Sequence, residues 1–439
     1  IRSHLRRTSW FSVISSQVVM SSTSSTSVFS GLAVAPPDAI FDLVAKYRAD
    51  PSPNKINLSV GAYRTADDLP YVLPCVREAE KRMLAKDVNK EYLPIDGLPE
   101  LRTLAAKLVY GAESAALAEG RVAIAQSVSG TGALRLAMQL LGSRTAPILP
   151  SPLVAYVSNP TWGNHKKILL HCGYEVRTYR YYDAENRCVD VEGMLADLEA
   201  APRGALIVLQ ACAHNPTGYD LTDAQWDRVY EVVRRGGLFP LFDMAYQGFA
   251  TGDLERDATA IRRFVALGPG VQAAVCQSFA KNFGLYGERC GTVSFVAATA
   301  DEVVAIQSQL KAIIRPMYSN PPKHGAHIVA EILSDEPLYA QWRGELTMMS
   351  NRIKEMREAL YSALVANGTP GNWEHVINQI GMFSYLGIGK TEALRLRSEF
   401  HIYLTEEGRI SMCGLNAHRA QVLADALKTV LTTESAAKL

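Results

Sequence analysis

The stretch "GALIVLQ" (204–210) is a short, unbroken apolar run that stops on a polar residue. It is shorter than a helix and does not alternate, which is the pattern of a strand covered on both faces. Similar runs occur at "RVAIAQSVSG" (121–130), "LFPLFDMAY" (238–246), "VQAAVCQSFA" (271–280) and "TVSFVAA" (292–298). Helical patterns lie between them. "ALRLAMQLL" (133–141) follows a Gly-rich turn, and "LTDAQWDRVYEVVRRGG" (221–237) opens on Thr222 with Gln225 three residues on, a capping box, and stops at Gly236 and Gly237. Thr299 with Glu302 caps another helix. Strand and helix in alternation predict an α/β fold around a mainly parallel sheet. The pattern changes after residue 335. A long helix stops at Gly368, two strand-like pieces follow in "GMFSYLG" (381–387) and "GRISMCG" (408–414), and a last helix starts at Asn416, which predicts a smaller α+β domain.

Composition narrows the function classes. A formal net charge of +1 offers no nucleic-acid footprint and no polybasic membrane surface. No apolar run reaches the ~18 residues of a membrane span. Seven scattered cysteines without a C-x-x-C, and nine histidines without ligand spacing, predict a reducing compartment and no metal site. Residues 1–37 hold three arginines and 14 Ser/Thr, and the first acid is Asp38. Such a leader resembles a mitochondrial transit peptide, implying the mitochondrial matrix. The alternative is a disordered tail, or sequence upstream of a start at Met20, with a cytoplasmic protein.

In open α/β sheets, ligands lie beyond the carboxyl ends of the strands. After 121–128 comes Ser129-Gly130-Thr131-Gly132, opening a helix whose N–H groups and hydroxyls suit a phosphate. After 204–210 comes "ACAHNPTG", with His214 and Asn215 in a turn signature. The next strand delivers Asp243 and Tyr246, and the one after it Ser278, Lys281 and Arg289. Each has a bland reading: a turn at Asn215, a helix cap at Asp243, an ion-paired Lys281. Their recurrence at successive strand ends favours one ligand site. A lysine issuing from a buried strand must be paired, neutral or covalently bound. A nicotinamide dehydrogenase is excluded, because the glycine fingerprint breaks at Arg135 and no acid stands between Arg121 and Tyr174. A phosphate cradle, an acid and a reactive lysine together suit pyridoxal phosphate, with the lysine as Schiff base and the carboxylate holding the ring nitrogen protonated.

At these residues the chain resembles the class I, fold-type I family of pyridoxal-phosphate-dependent aminotransferases, and within it the aspartate aminotransferases. The matching blocks are "SFAKNFGLYGERCG", "ACAHNPTG", "FDMAYQGFA", "EYLPIDGL", "SGTGALR", "NPTWGNH", "IRPMYSNPP" and "EEGRIS", spread from about residue 38 to the C-terminus. The resemblance implies a large domain with a seven-stranded sheet over 70–348. It also implies a small domain from 38–69 and 349–439, with residues 1–37 as leader or arm. It implies reversible amino transfer between L-aspartate and 2-oxoglutarate, giving oxaloacetate and L-glutamate by ping-pong chemistry. Lys281 would be the Schiff-base lysine and proton carrier. Asp243 would bind the ring nitrogen with His165 behind it, Tyr246 and Asn215 the phenolic oxygen, and Trp162 the ring face. Ser129, Gly130, Thr131, Ser278 and Arg289 would hold the phosphate. Arg409 would pair with the substrate α-carboxylate, and Gly61 would bring backbone close to it. Tyr92 and Arg315 would reach in from the second subunit of a homodimer, Tyr92 to the phosphate and Arg315 to the distal carboxylate. One departure is Gln210, where the family usually has a histidine. Two alternatives remain: a broader aspartate/aromatic specificity, and a catalytically silent homologue, which would require the loss of Lys281 or Arg409.

Overall fold

Seven strands form the central sheet of the computed structural model: Val122–Val128 (β1), Val154–Asn159 (β2), Glu175–Arg180 (β3), Leu206–Gln210 (β4), Phe239–Met244 (β5), Ala273–Ser278 (β6) and Cys290–Val296 (β7). Their spatial order is β1-β7-β6-β5-β4-β2-β3. All neighbours run parallel except β7, which is antiparallel to both β1 and β6. The structure describes residues 27–143 and 147–437, so most of the expected leader lies outside the described residues. Residues 39–437 belong to one compact unit, and residues 27–38 to another.

Strand periodicity sorts the core and aims the site. Leu206 and Val208 pack into one cluster with Leu241, Ala274 and Cys276, whereas Ile207, Leu209, Phe242 and Val275 pack into the other. Successive side chains alternate faces. Gln210, Asp243 and Ser278 therefore project on the side of Val208, Leu241 and Cys276. On that side helix α1 (Ser129–Leu141) packs against β1, β6 and β7.

The helix over Asp223–Gly236 (α2) carries the expected capping box at Thr222 and Gln225, and Gly237 closes it in the left-handed conformation (φ 59°). Thr299 caps the helix Ala300–Tyr318 (α3) through the N–H of Glu302. Beyond the sheet, Glu336–Ala366 (α4) packs along Ala417–Ala437 (α5). Phe383–Tyr385 pairs antiparallel with Arg409–Ser411, and Ile56–Asn57 pairs parallel with Ile402–Tyr403. Residues from before 70 and after 349 are thus neighbours.

Two strands escaped individual recognition in the sequence. Edge strand β3 reads "EVRTYR", mostly exposed and without an apolar run. β2 is buried but lies between Pro152 and Pro160, which read as turn.

Candidate active site

The carboxyl ends of β1, β4, β5 and β6 open on one cavity of about 190 Å³. It is lined by Gly61, Ser129, Gly130, Thr131, Trp162, Gln210, Asn215, Asp243, Tyr246, Ser278, Lys281, Arg289, Phe383 and Arg409, among others. β7 enters the sheet from the same edge, which puts Arg289 beside α1.

At one end lies an anion cradle. The Ser129 and Ser278 hydroxyls are 2.9 Å apart, and no side chain caps the N-terminus of α1. Its amides, the two hydroxyls and the Arg289 guanidinium, bound at one nitrogen to the Tyr286 carbonyl (2.9 Å), surround a volume suited to a phosphate. Ser129, Ala213 and Arg289 hold left-handed backbone (φ 57°, 51° and 54°) in the three loops that build the cavity. Non-glycine residues in that region carry strain of about 1–2 kcal/mol each.

At the centre, Asp243 Oδ2 accepts from His165 Nε2 at 3.0 Å, while His165 Nδ1 pairs with the Thr161 hydroxyl at 2.8 Å. Asp243 Oδ1 has no partner among the described residues and is available to a ligand donor. The Lys281 amine lies 5.2 Å from the centre of the Tyr246 ring and makes no ion pair among the described residues. It lines the cavity. Burial lowers its pKa, Asp243 opposes the shift and Arg289 adds to it. Burial likewise pushes the Tyr246 phenol upward.

At the other end, Arg409 is buried, and no carboxylate of the described residues pairs with it. It donates to Asn215 Oδ1 (3.2 Å) and to the Ser59 carbonyl (2.9 Å), and its Nε has no partner. The Phe383 ring covers it, with the guanidinium 4.1 Å from the ring centre. Gly61 is required here, because a Cβ on it would stand 2.7 Å from Phe383 Cζ. A buried guanidinium without an acid is costly unless an anionic ligand completes it. Cradle, carboxylate, amine and unpaired arginine fit pyridoxal phosphate and a carboxylate substrate. Among the described residues no group of three or more His, Cys, Asp or Glu is arranged to hold a metal.

Residues 53–427 match the family model for aminotransferase class I and II. The chain belongs to this family. It is 49% identical over 409 residues to the cytoplasmic aspartate aminotransferase of Oryza sativa subsp. japonica, covering 93% of this chain and 99% of that one. The structure of the aspartate aminotransferase from Saccharomyces cerevisiae cytoplasm matches with a TM-score of 0.89 at 42% identity, covering 92% and 99%. The aromatic-amino-acid aminotransferase of Burkholderia pseudomallei, solved covalently bound to pyridoxal phosphate, matches with a TM-score of 0.88 at 42% identity, covering 92% and 100%.

Two expected residues stand apart in this aminotransferase. Tyr92 is 82% exposed and does not line the cavity. Arg315, on α3, is exposed and donates to the Ser319 hydroxyl at 2.5 Å. Phe383 is a cavity residue that sequence reasoning read only as part of a strand. A single aromatic in a three-residue strand carries no signal for what it will cover.

Proposed function

We propose that the chain is an aspartate aminotransferase, which moves the amino group reversibly between L-aspartate and 2-oxoglutarate with pyridoxal phosphate as cofactor. The observation that carries this reading is Lys281, whose amine, ion-paired with no carboxylate among the described residues, lines the same cavity as Asp243 and Arg409. When bound, pyridoxal phosphate supplies an aldehyde that condenses with amines and a ring that withdraws electrons from the substrate α-carbon. Ser129, Thr131, Ser278, Arg289 and the amides at Gly130 would hold its phosphate. Asp243, backed by His165, would hold its ring nitrogen, Tyr246 and Asn215 its phenolic oxygen, and Trp162 its ring face. Arg409 meets the α-carboxylate with two parallel N–H donors and so orients the α-carbon. Lys281 Nζ, disfavoured as a cation by burial, accepts the α-carbon proton. Phe383 keeps water from the Arg409 fork.

The test is a half-reaction. Adding L-aspartate to the holoenzyme without 2-oxoglutarate should shift its absorbance and release oxaloacetate in amounts matching the enzyme. An unchanged spectrum with no oxaloacetate would end the assignment. A broader aspartate/aromatic specificity is the second reading, supported by the likeness to the Burkholderia enzyme. A panel of aspartate, glutamate, phenylalanine and tyrosine separates the two.

We further propose a homodimer in which Tyr92 and Arg315 serve the partner's cavity. Their exposure and their absence from the lining of their own cavity support this. We propose the small domain as 38–69 with 349–439 and the large domain as 70–348, supported by the pairing of Ile56–Asn57 with Ile402–Tyr403. Relatives carry cytoplasmic, chloroplastic and mitochondrial names. A mitochondrial address for residues 1–37 is our reading of their composition alone, and N-terminal sequencing of protein from its own cell tests it.

A further inference from the structure

Gln210 ends β4, lines the cavity and is Cα partner to Asp243 on β5. Its side chain makes two hydrogen bonds, both to one residue. Oε1 accepts from the Asn215 N–H at 2.8 Å, and Nε2 donates to the Asn215 carbonyl at 3.1 Å. These are the only hydrogen bonds to the Asn215 main chain among the described residues. The rest of the loop is pinned elsewhere: Asp220 accepts from the N–H groups of Ala213 and His214, and the Thr217 hydroxyl pairs with His214 Nδ1.

The orientation of the Asn215 side chain then follows from donor and acceptor logic. A guanidinium only donates, so the atom that Arg409 meets must be Asn215 Oδ1. The Nδ2 donor is therefore turned away from Arg409. It has no protein partner among the described residues, and Asn215 lines the cavity. Arg409 is held on one side by this Oδ1 and on the other by the Ser59 carbonyl. The main chain of Asn215 thus sets both the aim of the arginine and the direction of a free donor. An amide fits the clamp because one arm must accept and the other donate. A carboxylate would oppose the Asn215 carbonyl with a second acceptor, and a thioether would serve neither group.

We propose that Gln210 is a positioning residue for substrate recognition. Its amide clamps the Asn215 main chain, and through Asn215 it holds Arg409 in the geometry that receives a substrate carboxylate. The inference rests on the reading that Arg409 binds that carboxylate.

The test uses the holoenzyme and succinate, a dicarboxylate without an amino group, whose dissociation constant is read by titration without turnover. Gln210→Met, equal in length and uncharged, should weaken succinate about tenfold at every pH, because two hydrogen bonds to a buried main chain are lost. Gln210→Glu should bind within about threefold of wild type near pH 5.5, where a protonated carboxyl still donates, and approach the Met variant near pH 8.5. The titratable and charged groups around position 210 are Asp243 on the neighbouring strand, His165 bonded to it, His214 and Asp220 in the following loop, and Lys281 and Arg409 across the cavity. They are common to wild type and variants, so the variant-to-wild-type ratio isolates position 210. A Met variant that binds succinate like wild type, with only a lowered melting temperature, overturns the proposal and leaves Gln210 a loop-stabilising residue. A Glu-to-wild-type ratio that is flat with pH in a folded variant also overturns it. The Met variant carries the test where Glu is not tolerated. Arg409→Ala separates the two levels: wild-type succinate binding there sinks the functional reading itself, whereas a loss confined to Arg409→Ala sinks only the clamp.

Discussion

Lys281, Arg409 and Arg357 make no ion pair with an acid among the described residues. Arg357 shows how such a group can be purely structural: it donates to the carbonyls of Val376, Gly381 and Phe383, does not reach the cavity, and holds the segment that carries Phe383. Lys281 has no such carbonyl set, and its amine faces the cavity. Lys281→Ala should therefore keep cofactor affinity within about tenfold, through the cradle and Asp243, while transamination falls by about four orders of magnitude or more, because nucleophile and base are lost together. Near-normal steady-state turnover would remove Lys281 from the chemistry. Single residues were legible in the sequence where they followed an apolar run, as Asp243, Lys281 and Asn215 do. Phe383 and Ser59 were not, since what a ring covers or a carbonyl accepts depends on contacts made across hundreds of residues.

At the scale of elements, strands β1, β4, β5, β6 and β7 and the helix caps at Thr222 and Thr299 could be read from local pattern, because burial and capping are local constraints. β2 and β3 could not: prolines bracket the first, and solvent exposure removes the apolar signal from the second. One element boundary is held by a buried carboxyl group. Asp257, buried behind the segment that follows β5, accepts from the N–H groups of Ala250 and Thr251 and from the Thr251 hydroxyl. Burial raises its pKa to about 6, against the opposing Thr251 hydrogen bonds. The folded pKa lies above the unfolded one, so the protonated form is favoured on folding. The associated stability is fully present below about pH 4 and is lost as pH rises through about 6. Wild type should lose about 1–2 kcal/mol relative to Asp257→Asn between pH 5 and pH 8, read by urea unfolding at each pH. A difference that does not change with pH would mean that Asp257 stays ionised throughout.

At the scale of the whole molecule, Arg315 does not line its own chain's cavity, so the proposed homodimer makes assembly a measurable condition for activity. An Arg409→Ala variant mixed with an Arg315→Ala variant, each inactive toward aspartate alone, should recover up to about a quarter of wild-type activity. Half the dimers formed by random exchange are hybrids, and one of the two sites in each hybrid is complete. Absence of recovery after exchange is verified by mass would assign both arginines to the same chain's site. The reversed direction of β7 bears on how such a site comes into being. Because β6 and β7 are antiparallel neighbours, Lys281 and Arg289 lie in one connection of 11 residues, 279–289, and the first ladder pair, Gly291 with Ser278, is closed by residues near in sequence. Joining β7 to β1 requires closing a loop of more than 160 residues. Local contacts form ahead of distant ones. The amine and its neighbouring guanidinium should therefore take up their mutual geometry early in refolding, before β1 docks and brings the rest of the anion cradle to them. In pulse-labelling hydrogen exchange, the ladder amides between β6 and β7 should gain protection ahead of those between β7 and β1.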